Sequence, residues 1–362
     1  MANQTALYDC HVALGGNMVD FANYLLPMHY QSGIITEHNA VRNAAGIFDV
    51  SHMGEFFLTG KDALTNLNYL LCNDFSDLKS NRARYSPMLN EVGGIVDDLI
   101  VYCFSKECYM LVVNASNKAK DFDWLAKHIN GEVQLEDRSS EYAEIAIQGP
   151  QAEAILRTVV GYDHIPKRNY SFIPLAKLDG IDCLIAQTGY TGEQGFEIYC
   201  KEDQAVKVWQ KLLEVGESFG LTPCGLGSRD TLRLEAGMPL YGHEMNDSIT
   251  PLEVGLDFAL KMNKEDFIGK DALEKIGSPF RRRVGLKVVG RGIIRENAPV
   301  FYQGIEIGFT TSGTHAPFLG YGIAMALLDA THCEENLEVE VEVRGRMIAA
   351  VIIPLPFYRR SK

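Results

Sequence analysis

Two carboxylates stand inside an apolar stretch at residues 95–104, which reads IVDDLIVYCF. The stretch predicts a mostly buried strand. Burying an unpaired carboxylate is costly, so such a group usually has a partner or a catalytic task. Because side chains alternate along a strand, Asp98 and Tyr102 share one face and Asp97 lies on the other. Asp97 fits a structural position beside the turn at residues 93–94. For Asp98 the pattern leaves a structural and a functional role equally open.

A glycine-dense loop, TGYTGEQG at residues 188–195, comes directly before a predicted strand that contains Glu197. Glycines let a backbone approach a ligand closely, and Tyr190 offers a flat surface for stacking. A carboxylate such as Glu197 can accept two parallel N–H bonds from an aminopyrimidinone-type ring. The alternative is a glycine-rich hairpin with Glu197 in solvent, and the loop pattern alone does not decide between the two.

One cation is predicted at an unfavourable place on a helix. In the segment CGLGSRDTLRLE at residues 224–235, Ser228 is the predicted N-cap and Arg229 lies in the first turn. A cation there opposes the helix dipole by about 0.3–1 kcal/mol. Arg229 therefore needs an anionic partner, which is either a protein carboxylate or a ligand.

The composition of the chain narrows the classes of protein to which it can belong. The 362 residues exceed a single ordinary core, so two or three domains are expected. Apolar residues make up 46% and charged residues 22%, which is typical of a globular protein and not of a disordered chain. The net charge of −13 repels phosphate backbones, so nucleic acid is not an expected partner.

Membrane insertion, export and metal binding are not expected either. No stretch approaches about 18 consecutive apolar residues. The first residues lack a cationic segment followed by an apolar one, so we expect a cytoplasmic protein. The eight cysteines form no C-x-x-C pair and are interpreted as small buried side chains. The histidines show no metal-ligand spacing. His52 and His315, in glycine- and serine-rich neighbourhoods, are the site candidates among them.

The hydrophobic pattern divides the chain into a mixed region and an all-β region. Helices are predicted over residues 36–46 (with Thr36 as N-cap), 63–72, 117–129, 151–160, 203–219 and 228–236. A meander of strands is predicted over 85–113, with further strands at 143–148, 171–175, 183–188 and 196–199. From residue 283 to 353 short strands alternate with glycine turns, which is typical of a small barrel or sandwich. The boundary is expected near residues 276–279, between a domain at 1–276 and a domain at 277–362.

Several motifs, taken in order, resemble one family along the whole chain. They are GIFDVSHMG at 46–54, GGIVDDLI at 93–100, TGYTGE at 188–193, CGLGSRD at 224–230 and TSGT at 311–314. From residue 6 to residue 360 the sequence resembles the glycine cleavage T-protein family, whose members are tetrahydrofolate-dependent aminomethyltransferases. The resemblance implies an α+β fold, a multi-domain folate-binding cloverleaf. Residues 1–276 would hold two interleaved α/β lobes, one of them centred on 50–135, and residues 277–362 a β-barrel.

The resemblance also implies a reaction and its partners. Members of the family take the methylene carbon of an aminomethyl group from the lipoyl arm of the H protein and transfer it to tetrahydrofolate. The products are 5,10-methylenetetrahydrofolate, ammonia and the dihydrolipoyl form of the H protein. By this resemblance the chain acts in glycine catabolism and one-carbon metabolism. Tetrahydrofolate is the co-substrate and the lipoyl group is the carrier, with no metal, nucleic acid or membrane involved.

Site residues follow from the same resemblance, position by position. Asp98 matches the family's catalytic aspartate, which is held to hydrogen-bond the folate near N10 and to promote attack by N5. Glu197 matches the glutamate that recognises the pterin, and Arg229 matches an arginine that contacts the ligand. The residues at or beside positions that line the folate channel are Met53, Tyr85, Tyr102, Asn114, Tyr170 and Tyr190.

The sequence also allows a second role for the C-terminal arginines and two other classes of folate-binding protein. Arg359 and Arg360 offer cations to the folate glutamate tail or to an acidic H protein, or they form a solvated tail. A folate-binding relative without transfer activity, of the iron–sulfur-assembly type, shares the expected fold. That class typically carries a cysteine motif in the C-terminal half and lacks the aspartate pair, which is intact here at residues 97–98. The folate domain of a demethylating flavoprotein would need a flavin domain, for which the sequence has no G-x-G-x-x-G motif and no spare length.

Overall fold

The computed structural model describes residues 2–360, which form two compact units, each assembled from separate stretches of the sequence. Unit 1 comprises the stretch up to Asn68 together with Asp74–Tyr85 and Leu99–Arg229. Unit 2 comprises Tyr69–Asn73, Ser86–Asp98 and the stretch from Asp230 onward.

The secondary structure within residues 2–360 is a mixture of short helices and many strands. The strands are β1 (Asn3–Gln4), β2 (Met18–Phe21), β3 (Tyr24–Pro27), β4 (Ala45–Asp49), β5 (Gly54–Thr59), β6 (Arg82–Leu89), β7 (Ile95–Ser105), β8 (Cys108–Val113), β9 (Gln134–Asp137), β10 (Tyr142–Gln148), β11 (Phe172–Leu178), β12 (Ile181–Ala186), β13 (Gly195–Lys201), β14 (Leu221–Pro223), β15 (Arg281–Val288), β16 (Pro299–Tyr302), β17 (Ile305–Ala316), β18 (Tyr321–Asp329), β19 (Glu338–Val343) and β20 (Arg346–Ile353). The α-helices are α1 (Tyr8–Ala13), α2 (Ile34–Asn43), α3 (Ala63–Leu70), α4 (Lys118–His128), α5 (Ala152–Val160), α6 (Ala205–Gly216), α7 (Leu226–Glu235) and α8 (Lys270–Ile276). None of the helices in these residues has the length and apolar character needed to cross a bilayer.

A six-stranded sheet organises unit 1. Its order is β11-β12-β13-β10-β4-β14, antiparallel from β11 to β4 and parallel between β4 and β14. Alternate residues of each strand point to opposite faces. Ile145 and Ile147 of β10 and Ile198 of β13 are fully buried in one apolar cluster with Trp209 of α6 and Ile155 of α5. This face is the main apolar core of the unit, and the residues between these isoleucines occupy the opposite face.

A five-stranded sheet, in the order β6-β7-β8-β5-β9, supplies a second buried layer. Phe57 of β5, Tyr102 of β7 and Met110 of β8 pack in one cluster with Leu184 of β12 and Tyr199 of β13. These side chains therefore come from both the six-stranded and the five-stranded sheet. We call the buried space that they line the inter-sheet layer.

Unit 2 contains a closed barrel of six strands in the order β15-β18-β17-β16-β19-β20. Branched and small side chains such as Leu286, Ala324 and Val341 fill its interior. The strands of the barrel run from Arg281 to Ile353, so the predicted all-β module over 283–353 is confirmed. The predicted α+β class is confirmed as well, since helices and several sheets precede this barrel.

Each predicted helix is present, with its ends displaced by up to three residues. α2 begins at Ile34 directly after Gly33, so Thr36 lies inside the helix and the prediction of Thr36 as N-cap is wrong. The helix predicted over 203–219 is α6 with a short 3₁₀ turn on either side. Helix ends commonly tighten in this way, and the apolar spacing does not distinguish such turns from α-helix.

The start of α7 differs from the prediction for a physical reason. The helix begins at Leu226, so Ser228 lies inside it and is not the N-cap. The carboxylate of Glu37, which is fully buried, accepts the N–H of Gly225 at 2.9 Å and the hydroxyl of Ser228 at 3.0 Å. A glutamate from a distant stretch thus satisfies a backbone donor at the start of the helix. The local sequence holds no sign of this partner.

Two glycines close the turn before β7, the strand that carries Asp98. Gly93 has a φ of 87°, which residues with a side chain adopt only at a cost. A Cβ on Gly94 would lie 1.8 Å from the carbonyl oxygen of Asp247, and the amide of Gly94 donates to Oδ1 of Asn90 at 2.9 Å. The backbone at the start of β7 therefore packs too closely to accept a side chain at Gly94.

Replacing Gly94 with alanine should destabilise the protein by about 1–3 kcal/mol, because the methyl group overlaps a backbone oxygen that cannot rotate away. Urea denaturation followed by circular dichroism measures the decrease in the free energy of unfolding. The matched control in the same turn is Val92→Ala, whose side chain is 71% exposed. It should change the free energy of unfolding by no more than about 0.5 kcal/mol. Equal stability of the Gly94→Ala variant and the wild type would contradict the close packing.

Candidate functional site

Glu197 is a buried carboxylate on the inter-sheet face of β13. Its in-register neighbours are Ala146 on β10 and Ala186 on β12. Their small side chains leave room for the longer glutamate between the strands, and Glu197 is only 8% exposed. The alternative in which Glu197 is a solvated hairpin residue is therefore wrong.

Hydroxyl groups gather around one oxygen of the Glu197 carboxylate. The hydroxyl of Thr188, in the glycine-dense loop, donates to Oε2, and the Tyr102 hydroxyl lies 3.5 Å from the same atom. The Tyr102 hydroxyl is also 3.3 Å from Thr188 Oγ1 and 3.1 Å from the hydroxyl of Tyr199. Within residues 2–360, Oε1 of Glu197 takes no hydrogen bond. The carboxylate is held by one oxygen and keeps the other for a further donor.

The electrostatics of this carboxylate combine opposing effects. Burial raises the pKa of Glu197, whereas the bond from Thr188, the charge of Arg229 and the bond from Tyr102 lower it. Burial and the nearby carboxylates raise the pKa values of Tyr102 and Tyr199 far above those of an ordinary tyrosine. Both tyrosines therefore remain neutral hydroxyl donors at any physiological pH.

Arg229 supplies positive charge beside this carboxylate. The guanidinium of Arg229 lies over the ring of Tyr190, with 5.1 Å between its central carbon and the ring centroid. In the part of the chain that the structure describes, no carboxylate oxygen lies within 4.0 Å of Arg229. The alternative that a direct internal salt bridge satisfies Arg229 is therefore wrong. Its charge acts at longer range on Glu197, Glu144 and His52.

His52 is a neutral imidazole at physiological pH. It is 3% exposed, and burial followed by the charge of Arg229 lowers its pKa to about 3. Its ring meets Phe21 edge to face at 5.7 Å between centroids. His52 therefore adds no charge to the site. His315, the other histidine candidate, is exposed on β17.

The remaining predicted site residues fall into several environments. Met53 packs against the cluster that contains Tyr102 and Tyr199. Tyr170 is 42% exposed, and its φ of 55° and its backbone bonds to Ala83 and Gln187 fix its place in the loop before β11.

The other predicted residues lie in the five-stranded sheet, directly after one of its strands, or near the C-terminus. Tyr85 lies in β6, and Asn114 directly follows β8. Asp98 is half-buried in β7, where the alternation of side chains puts it on the same strand face as Tyr102. Arg359 and Arg360 are exposed.

Sequence reasoning missed four polar residues of the inter-sheet layer, which are Thr188, Tyr199, Glu55 and Glu144. Glu144 in β10 is 2% exposed and Glu55 in β5 is fully buried. Both stand inside apolar strands, YAEIAIQ and GEFFLT. Asp98 was predicted as a site residue because it is an acidic residue within an apolar strand. The same pattern is present at these two glutamates and would have predicted them as well.

Comparisons with known proteins cover nearly the whole chain. Residues 7–264 match the family model described as the GCVT N-terminal domain, and residues 281–359 match the glycine cleavage T-protein C-terminal barrel domain. Proteins named aminomethyltransferase from Bacillus cytotoxicus and Bacillus mycoides are each 49% identical to this chain, with 99% of both chains covered. The crystal structure of glycine cleavage system aminomethyltransferase T from Bartonella henselae covers 100% of both chains, with 35% identity and a TM-score of 0.92.

Replacing Thr188 with valine should destabilise the protein by about 1.5–3 kcal/mol near neutral pH, because the Glu197 carboxylate loses a charge-assisted hydrogen bond. Burial already raises the pKa of Glu197, so wild-type stability falls as the pH rises through that value. The variant raises the pKa further, so its deficit should grow with pH and shrink under acid conditions.

Chemical denaturation at several pH values measures this deficit. The control is Thr65→Val, on the exposed side of α3, which should leave stability nearly unchanged at every pH. A deficit in the Thr188→Val variant that does not depend on pH would show that the Thr188 hydroxyl does not stabilise an ionised Glu197.

Proposed function

This chain belongs to the glycine cleavage T-protein family and is an aminomethyltransferase, and we propose that it transfers a one-carbon unit from lipoylated H protein to tetrahydrofolate. In this reaction the methylene carbon leaves the lipoyl sulfur and the amino nitrogen and becomes bonded to N5 and N10 of the folate. The hydrogens lost from N5 and N10 end on ammonia and on the free thiol. The products are therefore 5,10-methylenetetrahydrofolate, ammonia and the dihydrolipoyl carrier.

The arrangement of the Glu197 carboxylate is the observation on which the proposal rests. The edge of a pterin ring carries an N3–H and a 2-amino group side by side, and a carboxylate accepts both in parallel. Glu197 has Oε1 free for one of these donors, while Oε2 accepts the Thr188 hydroxyl and has a second lone pair for the other. A pterin edge would therefore supply Oε1 with the hydrogen-bond donor that the described residues do not provide.

Arg229 and Tyr190 complete the proposed pterin site. The charge of Arg229 offsets the charge of Glu197, so a neutral ring can bind there without leaving an isolated anion buried. Tyr190 holds the guanidinium through its ring face. Met53, Tyr85, Tyr102, Asn114 and Tyr170 are proposed as further wall residues of the folate channel.

Asp98 is the proposed catalytic residue. The carboxylate would hydrogen-bond the folate near N10 and orient N5 for attack on the methylene carbon. A positioned acid or base of this kind contributes about 10²–10⁴-fold to the rate, and the alignment of two large substrates contributes further. Its place on the Tyr102 face of β7 supports this role, because that is the strand face from which Tyr102 reaches Glu197.

Substitutions of the two carboxylates should have different effects, one on the transfer rate and the other on tetrahydrofolate binding. Asp98→Asn should keep tetrahydrofolate binding within about threefold and lower aminomethyl transfer by about 10²–10⁴-fold, since the amide cannot take a proton. Glu197→Gln should instead weaken binding by about 10-fold or more, because an amide accepts only one of the two N–H bonds. Calorimetry gives the dissociation constants and product formation gives the rates. Unaltered turnover in Asp98→Asn would remove the catalytic role, and an unaltered dissociation constant in Glu197→Gln would remove the pterin role.

Transfer should depend on the lipoyl group of the carrier. With tetrahydrofolate in excess, H protein loaded through its lipoyl arm should yield methylenetetrahydrofolate and ammonia in equal amounts. H protein without the lipoyl group, mixed with free aminomethyl donor, is the control and should give a rate lower by orders of magnitude, because it loses the effective concentration that a tethered substrate provides. Equal rates with the two carriers would contradict the proposed partner.

A further inference from the structure

Gln148 is a buried amide at the end of β10, on the same face of the six-stranded sheet as Glu197. Ala146 is the in-register neighbour of Glu197, and Gln148 comes two residues further along β10. Because side chains alternate along a strand, Gln148 and Ala146 share the inter-sheet face, and Gln148 is only 1% exposed. A buried amide needs hydrogen-bond partners for both its nitrogen and its oxygen.

Both ends of the Gln148 amide are bound to the glycine-dense loop. Its Nε2 donates to the carbonyl oxygen of Thr188 at 3.1 Å, and its Oε1 accepts the hydroxyl of Thr191 at 2.9 Å. These partners fix the orientation of the amide, because a carbonyl oxygen can only accept and a flipped amide would place two oxygens against each other. Gln148 therefore ties together two residues on either side of the turn of the loop.

The glycines of the loop leave the space in which this amide lies. A Cβ on Gly189 would lie 2.0 Å from Oε1 of Gln148, and a Cβ on Gly195 would lie 2.3 Å from its Nε2. Both distances are far shorter than the separation at which nonbonded atoms attract one another. Glycine at these two positions is thus required by a side chain of the protein itself.

A second buried side chain holds the far part of the loop. Arg42 of α2 is 4% exposed, and its Nη1 donates to the carbonyl oxygen of Thr191 at 2.7 Å and to Oε1 of Glu193 at 2.9 Å. Hydrogen bonds between charged groups are among the stronger ones in proteins. Arg42 therefore fixes the residue whose hydroxyl orients the Gln148 amide.

The residue that Gln148 holds is the one that binds Glu197. The hydroxyl of Thr188 donates to Oε2 of Glu197, while the carbonyl group of the same residue accepts from Gln148. A hydroxyl on a loop that moves freely would reach the carboxylate for only part of the time. Fixing the backbone of Thr188 before the ligand arrives lowers the ordering cost of binding.

We propose that Gln148 is a positioning residue for pterin binding, which fixes Thr188 so that its hydroxyl holds the Glu197 carboxylate in place. Arg42 supports this role by fixing Thr191. In this arrangement Gln148 acts on the pterin through the loop and not by direct contact. The role deepens the proposed function and depends on Glu197 as the folate contact.

A double-mutant cycle tests whether Gln148 acts through Thr188. The probe is 5-methyltetrahydrofolate, titrated by calorimetry. Gln148→Met keeps the length of the side chain but removes both hydrogen bonds, so it should weaken binding by about fivefold or more. In a Thr188→Val background, where the hydroxyl is already absent, the same change should weaken binding by no more than about twofold. Equal weakening in the two backgrounds, or unchanged affinity in Gln148→Met alone, overturns the proposal.

Thr191 provides the same test with a smaller change. Thr191→Val removes only the hydroxyl that orients the Gln148 amide and should weaken binding by about fourfold or more. Thr191→Ser keeps a hydroxyl and should bind within about twofold of the wild type. A serine variant as weak as the valine variant overturns the proposal, because the shape of the side chain would then matter and not its hydrogen bond. The control is Gln210→Met, at an exposed position of α6, which should leave the affinity unchanged.

Hydrogen exchange of the protein without folate tests the anchoring of the loop separately from the proposed function. The backbone amides of residues 188–195 should exchange about 10-fold faster or more in Gln148→Met, because the loop opens more often when the amide no longer holds it. The amides of β18, in the barrel, should keep their rates. Exchange of the loop at the wild-type rate overturns the proposal.

The two proposals fail in different ways. If Glu197→Gln binds folate as well as the wild type, the pterin role of Glu197 fails, and the exchange rates alone decide whether Gln148 anchors the loop. If Glu197→Gln weakens binding and Gln148→Met does not, the pterin role stands and the positioning role of Gln148 is overturned.

Discussion

The structure of unit 1 depends on the cost of placing a carboxylate between two sheets. A carboxylate removed from water must recover its lost hydration through hydrogen bonds or a counter-charge, or it takes up a proton. Glu197 recovers part of it through hydroxyl donors on Oε2 and through the charge of Arg229. Oε1 takes no hydrogen bond from the described residues, so a ligand with two adjacent N–H groups can donate to it.

The fold meets this constraint with a few local features. Alanines on both neighbouring strands make room for Glu197, and the glycine-dense loop brings Thr188 back to the strand that it precedes. The opposite face of the same sheet packs apolar side chains against α5 and α6, so the strands that carry the polar residues are anchored by an ordinary core. A rigid scaffold of this kind keeps a binding group in place before the ligand arrives, which reduces the ordering cost of binding.

The sequence predicted the parts of this arrangement that depend on local patterns. Alternation in IVDDLIVYCF put Asp98 and Tyr102 on one face of β7, and the short strands over residues 283–353 predicted a small barrel or sandwich, which is a barrel in the structure. The sequence did not predict the interaction partners that come from distant stretches of the chain. Glu37 takes over the capping of α7 from a position nearly two hundred residues earlier, and the hydroxyl of Tyr199 lies 3.1 Å from that of Tyr102 across two sheets. Such contacts depend on the packing of elements, which a local pattern does not contain. Arg229 shows the same limit, because the sequence indicated its need for an anion but not that the anion would act without a direct ion pair.

A crystal structure of the protein with 5-methyltetrahydrofolate would show directly whether Glu197 binds the pterin ring. We expect N3 and the 2-amino group of the pterin to lie within hydrogen-bonding distance of the Glu197 carboxylate, with Oε1 accepting one of them and Thr188 still donating to Oε2. A pterin bound elsewhere, or a Glu197 carboxylate that makes no contact with the ring, would contradict it.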